Sequence, residues 1–347
     1  MQEVDKQPSL RNSMNNRYLG SSALQVSPIC LGGMMFGGET DLPTAQRIIS
    51  KAREQGVNFI DTADVYNGGR SEEFIGQSVA DQRNEWVLAT KFGYGGGTNS
   101  LSSKHIFQTV EASLKRLNTD YIDLLYFHRA IPGLTLEEGI RAVGDLIRQG
   151  KVRYFGLSNF HGWRIAKVVR LADYLGISRP VASEPVYNIV SRGAEVEQIP
   201  AASHYGLGVV PYSPLARGVL TGKYSADQTP DSNSRAGRGD ARIHQTELRS
   251  ESLVIAQKIK EYAEAKGVSS VAFSLAWVLN NKAVSSVIAG PRTEQHWDSY
   301  MAALDYSLTP EDEAFIDVLV KPGHASTHGY TDPNYPIEGR EIYHHSI

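Results

Sequence analysis

Short apolar runs rich in β-branched and aromatic residues recur along the chain at 29–31, 57–60, 86–90, 122–127, 152–157, 181–183, 208–211 and 286–289. Each is followed by a longer segment, and many of these carry their apolar residues at helical spacing. Helices are predicted over 43–55, 72–80, 104–117, 136–149 and 163–175. The fourth places Leu136, Ile140, Val143 and Ile147 at i, i+4, i+7 and i+11, one apolar stripe suited to packing on a sheet. Gly56, Gly150 and Gly176 each follow a predicted helix where a left-handed C-terminal cap belongs. Alternation of this kind marks parallel βα units. Eight of them in one chain predict an α/β fold whose sheet closes into a single (β/α)8 TIM barrel. An open doubly wound sheet is the alternative, since alternation alone does not reveal closure.

Two stretches break the regular spacing. The segment 216–249 is polar and rich in Gly, Ser, Asp and Arg, the composition of a lid or a long loop at the C-terminal face of the barrel. From about 321 to 347 the chain is Gly- and Pro-rich, which excludes a helix and predicts an irregular tail that wraps the body or stays mobile. Residues 1–16 form a polar N-terminal tail without the apolar stretch of a signal peptide, so 17–347 is expected to be one barrel domain with a C-terminal extension. The longest apolar run, 271–279, falls far short of the ~18 residues of a membrane span. A cytoplasmic protein with no membrane partner is expected.

Charge and cysteine content narrow the chemistry further. Thirty-five Lys and Arg against 38 Asp and Glu give a net charge of −3, which offers no general attraction to nucleic acid. The single cysteine, Cys30, forbids an intramolecular disulfide and a Cys-based zinc cluster, and its apolar neighbours read it as a small buried hydrophobe. His324 and His328 lie in the Gly-rich tail rather than on a helix, so no metal site is expected. The glycines of KFGYGGGTNS miss the G-x-G-x-x-G pattern, and Gly218 with Gly222 and Lys223 is one residue too short for a phosphate-binding P-loop.

In a barrel the reactive groups stand at the carboxyl ends of the strands. The second run ends in Asp61 and leads to Tyr66, the third ends in Lys91, and the fourth ends in His128. Taken singly these have plainer readings: a turn cap, a surface tyrosine, a barrel-end histidine. At three successive strand ends they form a cluster. A lysine buried there needs an anion, which Asp61 supplies. A charged Lys91 beside Tyr66 would lower the phenol pKa from ~10 and make it a proton donor near neutral pH, with His128 orienting the oxygen being protonated.

The stretches GVNFIDTADVYNGGRSEEFIG (56–76), WVLATKFG (86–93), RLNTDYIDLLYFHR (116–129) and RYFGLSNF (153–160) resemble the aldo-keto reductase superfamily, as do VVPYSPLARGVLTGKY (209–224) and VIAGPRTEQHWDSY (287–300). The resemblance runs in order from about residue 17 to 319. It implies a barrel that binds NADP(H) and reduces an aldehyde or ketone, with Tyr66 as proton donor and Asp61, Lys91 and His128 completing the catalytic set. It implies that Ser158 and Asn159 hold the nicotinamide carboxamide, that Tyr212 stacks on the ring, and that Ser213, Pro214, Leu215 and Gly218 approach the pyrophosphate. Arg292 would meet the 2′-phosphate, with Gly290 and His296 beside it. Where the superfamily usually has Gln, this chain has Glu184, which would accept from the carboxamide N–H₂.

His296 and Tyr300 also depart from the usual pattern, and Ala130 stands where an Asp commonly follows the His-Arg pair. Loops 129–135 and 216–249 and the tail are expected to border the substrate pocket with Phe36 and Tyr94. A regulatory barrel that retains the cofactor but turns over little, as in some ion-channel β-subunits of the superfamily, is the alternative function. The complete set of four catalytic residue types argues against it. Neither the identity of the carbonyl compound nor the oligomeric state is carried by a recognisable motif.

Overall fold

A computed structural model describes residues 14–336 apart from 132 and 134. The chain opens with a short antiparallel pair, β1 (Arg17–Tyr18) and β2 (Gln25–Val26). The eight predicted runs follow as β3 (Ile29–Gly32), β4 (Phe59–Asp61), β5 (Val87–Phe92), β6 (Ile122–Phe127), β7 (Val152–Ser158), β8 (Ala182–Glu184), β9 (Gly208–Val209) and β10 (Val287–Ala289). They form one parallel sheet in the order β10-β3-β4-β5-β6-β7-β8-β9. Backbone hydrogen bonds join its two ends: Val209 N donates to Ala283 O (3.0 Å), Ser285 N to Val209 O (2.9 Å) and Ile288 N to Pro211 O (2.9 Å). The sheet is therefore a closed (β/α)8 barrel, and the open alternative is excluded.

Side chains of a strand alternate between two faces, and here both faces are buried. The outward face packs under helices that include α1 (Leu42–Glu54), α2 (Arg70–Val79), α3 (Ser103–Arg116), α4 (Leu136–Arg148) and α5 (Gly162–Leu175). The inward face holds Cys30, Phe59, Val87, Ala89, Leu124, Tyr126, Ala182, Val210 and Ile288. Followed two residues further, the inward stripes run Phe59 to Asp61, Ala89 to Lys91, Tyr126 to His128 and Ala182 to Glu184. The pleat that fills the core with apolar side chains thus delivers polar ones to its C-terminal mouth.

The helix ends are capped, the C-terminal ones by the glycines read from the sequence. Asp41 accepts from Thr44 N (3.0 Å) at the start of α1. Gly56, Gly150 and Gly176 take φ of +87°, +73° and +63°, the left-handed region that favours glycine.

The β1–β2 hairpin closes the opposite end of the barrel. Leu19 and Val26 are fully buried against the inward stripes, and Arg17 Nη1 donates to Leu279 O (3.1 Å) and Val284 O (2.8 Å). Segment 216–249 is more ordered than its composition suggests, with a 3₁₀ turn at Ala216–Thr221 and a short helix at Ala241–Gln245. Arginines supply the order: Arg217 pairs with Glu247 (3.0 Å) and Arg235 with Asp240 (2.8 Å). The tail wraps the body up to residue 336, with Ser326 N bonded to Val190 O (3.0 Å) and Asp332 paired with Arg242 (2.7 Å). Most of the N-terminal tail expected over 1–16, and the last part of the C-terminal one, lie outside the described residues. Among the described residues no helix is long and apolar enough to cross a membrane.

Gly20, at the hairpin turn, has φ +59°, and a Cβ there would lie 2.3 Å from Gly206 O and 2.4 Å from Gly208 N. Both obstacles are backbone and cannot rotate away. Gly20→Ala is expected to destabilise the fold by ~2 kcal/mol or more, read as a lower urea midpoint at unchanged slope.

Candidate active site

Lys91 is fully buried at the end of β5, and its ammonium is held by three oxygens. It donates to Asp61 Oδ1 from β4 and to Thr62 O (2.9 Å), and Glu184 Oε1 from β8 lies 3.4 Å away. Tyr66 begins a 3₁₀ turn (Tyr66–Gly69) after β4, its ring centroid 5.3 Å from the Lys91 nitrogen. Asn67, with φ +52°, fixes that turn by donating to Met34 O (2.8 Å) and Phe36 O (2.7 Å). His128 follows β6, its N–H bonded to Phe92 O (2.8 Å), its ring edge-on to Tyr66 at 5.9 Å and 4.9 Å from the ring of Tyr94. The structure thus brings Asp61, Tyr66, Lys91 and His128 together at one barrel mouth.

Burial dominates the electrostatics of this cluster. It works against charge on Lys91, but Asp61 and Glu184 outweigh it and hold the ammonium charged. The expectation that Lys91 lowers the Tyr66 pKa is corrected. Burial is the largest influence and Asp61 and Glu184 add to it, so the phenol is pushed up to about 12 despite the lysine. Tyr66 therefore keeps its proton at neutral pH. His128 is held well below its usual pKa, first by burial and then by Lys91 and Arg129, so its ring is neutral. Its Nδ1 is buried without a hydrogen-bond partner from the described residues.

Beside this cluster lies a cavity of about 490 Å³. Tyr66 and His128 border one part of it, together with Ser158, Asn159, Glu184 and Tyr212. Ser213, Pro214, Leu215 and Gly218 also line it, and Gly290, Arg292 and His296 add the loop after β10. Asn159 has φ +60°, Ser213 +54° and Arg217 +53°, so non-glycine residues in the left-handed region gather at this wall. The Asn159 side chain is committed within the protein: Nδ2 donates to His128 O (3.1 Å) and Ser158 Oγ (3.0 Å), and Oδ1 accepts from Tyr212 Oη (2.8 Å). Glu184 Oε2, by contrast, is buried and without a partner among the described residues.

Comparison with known proteins matches residues 28–321 to the model of the aldo/keto reductase family. The chain belongs to the aldo/keto reductase family. It is 37% identical over 327 residues to a probable voltage-gated potassium channel subunit beta of Oryza sativa subsp. japonica, covering 91% of this chain and 100% of that one. It is 34% identical to the uncharacterized oxidoreductase YrpG of Bacillus subtilis (91% and 99% covered). It is 30% identical to the versiconal hemiacetal acetate reductase of Aspergillus parasiticus (89% and 99% covered). Membership places this chain among oxidoreductases that work with NAD(P)H.

Several residues of this aldo/keto reductase family chain escape a reading of its motifs. Glu39 accepts from Arg238 (2.5 Å) and lies 3.3 Å from Arg292 Nη1, which also donates to Asn233 O (3.1 Å), so the 216–249 segment is latched over the cavity. Lys223, Arg235 and Arg242 also line it. Tyr335 and Asn334 bring the tail to the cavity, as expected of the segment, while Phe36 is fully buried and Met34 and Met35 take the lining place expected of it. Basic residues in a polar loop were a visible signal; Glu39, which ties Arg238 of that loop to Arg292, was not.

Asp64 is a further acid, half-buried, two residues before Tyr66. Its Oδ1 has no partner, and Glu72, itself fully buried and bonded to Thr90 (2.6 Å) and Arg116 (2.6 Å), stands near it. Burial first and Glu72 second push its pKa up to about 7, against the pull of Arg116 and Lys91. The unfolded chain releases this proton near pH ~4 and the fold retains it, so stability drains away as pH rises through that window and levels off above about 7. Asp64→Asn is expected to remove this slope, gaining ~1–3 kcal/mol on wild type between pH 5 and pH 8 in urea unfolding. An unchanged difference between the two pH values would place Asp64 in contact with solvent.

Proposed function

We propose that the chain is an NADP(H)-dependent reductase that converts an aldehyde or ketone to the alcohol, with Tyr66 as the proton donor. The observation that carries this reading is the clustering of Tyr66, Lys91, Asp61 and His128, of which Tyr66 and His128 border a cavity whose wall also carries Lys223, Arg235, Arg238 and Arg292. The residues present suit a nicotinamide dinucleotide. Glu184 Oε2 is a buried acceptor without a donor, which a carboxamide N–H₂ would provide, and the cationic wall would meet phosphates. Tyr212 and Ser158 border the same region, and the backbone of 213–215 and Gly218 offers close approach. A dinucleotide held there supplies the hydride.

The chain's own residues supply the proton and the orientation. Tyr66 remains a neutral phenol until a carbonyl oxygen takes its proton, and the buried Lys91 ammonium stabilises the phenolate left behind. Asp61 fixes Lys91 in place through their hydrogen bond. His128, neutral and beside Tyr66, orients the carbonyl oxygen by hydrogen bonding. Tyr94, Tyr335 and Met34 border the space left for the carbonyl compound. A reducing compartment, the cytoplasm, suits both this chemistry and the lone cysteine.

The similarity to a protein named as a potassium channel subunit beta favours a second reading, a regulatory barrel that binds cofactor with little turnover. Consumption of NADPH by the purified protein with simple aromatic and aliphatic aldehydes separates the two. Tyr66→Phe is expected to leave NADPH binding intact and lower kcat by ~10²–10⁴, the contribution of a positioned general acid. A variant keeping a third of wild-type kcat when chemistry limits would remove Tyr66 from the donor role. Arg292→Ala is expected to weaken NADPH ~10- to 150-fold while sparing NADH, because only NADPH carries a 2′-phosphate. Equal losses for both cofactors would show that Arg292 acts through its bonds to Glu39 and Asn233.

A further inference from the structure

Two carboxylates share one ammonium inside this barrel. Asp61 and Glu184 are each 3% exposed and Lys91 is fully buried. The other titratable groups that act on them are Cys30 from β3, Tyr66 and Asp64 from the turn after β4, and Tyr126 from β6. Ser158 faces Glu184 from β7, and β9 and β10 offer Val210 and Ile288 beside them, which do not titrate. His128, beyond β6, is neutral. With both acids ionised the cluster would hold a net charge of −1 on side chains almost wholly withdrawn from solvent, and desolvation disfavours that strongly. One acid therefore keeps a proton. Each acid has one buried oxygen without a partner among the described residues, Asp61 Oδ2 and Glu184 Oε2, but Asp61 is the hydrogen-bond partner of Lys91, whereas Glu184 stands 3.4 Å from it. The proton belongs on Glu184.

An oxidised nicotinamide ring is a cation and a reduced one is neutral. Resting on the cofactor reading above, we propose that Glu184 carries a proton in the free protein and with reduced cofactor, and gives it up when the oxidised cofactor binds. The oxidised ring then acts as the second cation that the two carboxylates lack. Burial and the neighbouring Asp61 hold the Glu184 pKa well above the ordinary carboxylate range, which keeps it protonated until such a cation arrives. Glu184 is thereby a positioning residue that makes affinity for the two redox forms depend differently on pH.

The test is isothermal titration calorimetry at neutral pH in buffers of different ionisation enthalpy, which counts protons released as NADP⁺ or NADPH binds. Both cofactors carry the same 2′-phosphate, so its titration cancels in the difference. Wild type is expected to release about one proton more with NADP⁺ than with NADPH, and NADP⁺ affinity to rise up to about tenfold per pH unit while Glu184 remains protonated in the free protein. Glu184→Gln is expected to abolish the difference and Tyr66→Phe to preserve it. The infrared band of a protonated carboxyl, present in the free wild type and lost with NADP⁺, reports the same event even if Glu184→Gln does not fold. Equal proton counts for the two cofactors overturn the proposal and leave the cofactor reading standing. A difference that survives Glu184→Gln, or vanishes in Tyr66→Phe, assigns the proton elsewhere and overturns it too. Failure of both cofactors to bind removes the cofactor reading and this inference with it.

Discussion

The arrangement at the barrel mouth depends on one constraint, the cost of burying the Lys91 ammonium. An unpaired ammonium at that depth would lose its proton or unfold the strand end that carries it. Asp61 meets the requirement from the neighbouring strand, and the register pairing β4 with β5 sets the two side chains on the same inward face. Burial commits Tyr66 to a phenol that keeps its proton even beside that pair, and the pair leaves Glu184 to share a cation already claimed. The chemistry of the cavity follows from how few positive charges the interior holds.

Most of the barrel was legible because its strands are long in their effect if short in residues. Each inward and outward stripe is apolar, and each is bounded by glycine or polar punctuation, so 29–31 through 286–289 stand out. Closure was not legible, because it rests on backbone bonds from 209 and 211 to 283–288 that no side-chain pattern encodes. The β1–β2 hairpin escaped notice for a different reason. Two-residue strands carry no periodicity, and Leu19 and Val26 acquire meaning only when the barrel supplies a floor to cover.

The site divides along the same line. Asp61, Lys91 and His128 stand at strand ends, where a period of two dictates their direction, and the pattern reveals them, whereas Glu184 stood out only through the family resemblance. Glu39, Arg238 and Asn233 meet across loops whose paths depend on tertiary contacts, and their latch was invisible. The sign of the Tyr66 shift was misread because proximity to Lys91 is a pairwise quantity that spacing suggests, whereas desolvation is a property of the whole enclosure. A sequence reveals neighbours more readily than it reveals the absence of water.

The anchoring of Arg17 has a consequence for how the chain is made. Its guanidinium is bonded to carbonyls 262 and 267 residues further along. During synthesis the hairpin emerges early and finds no partner until nearly all of the barrel has left the ribosome. The floor of the barrel is thus begun first and completed last, and the apolar side chains of Leu19 and Val26 wait uncovered through most of translation.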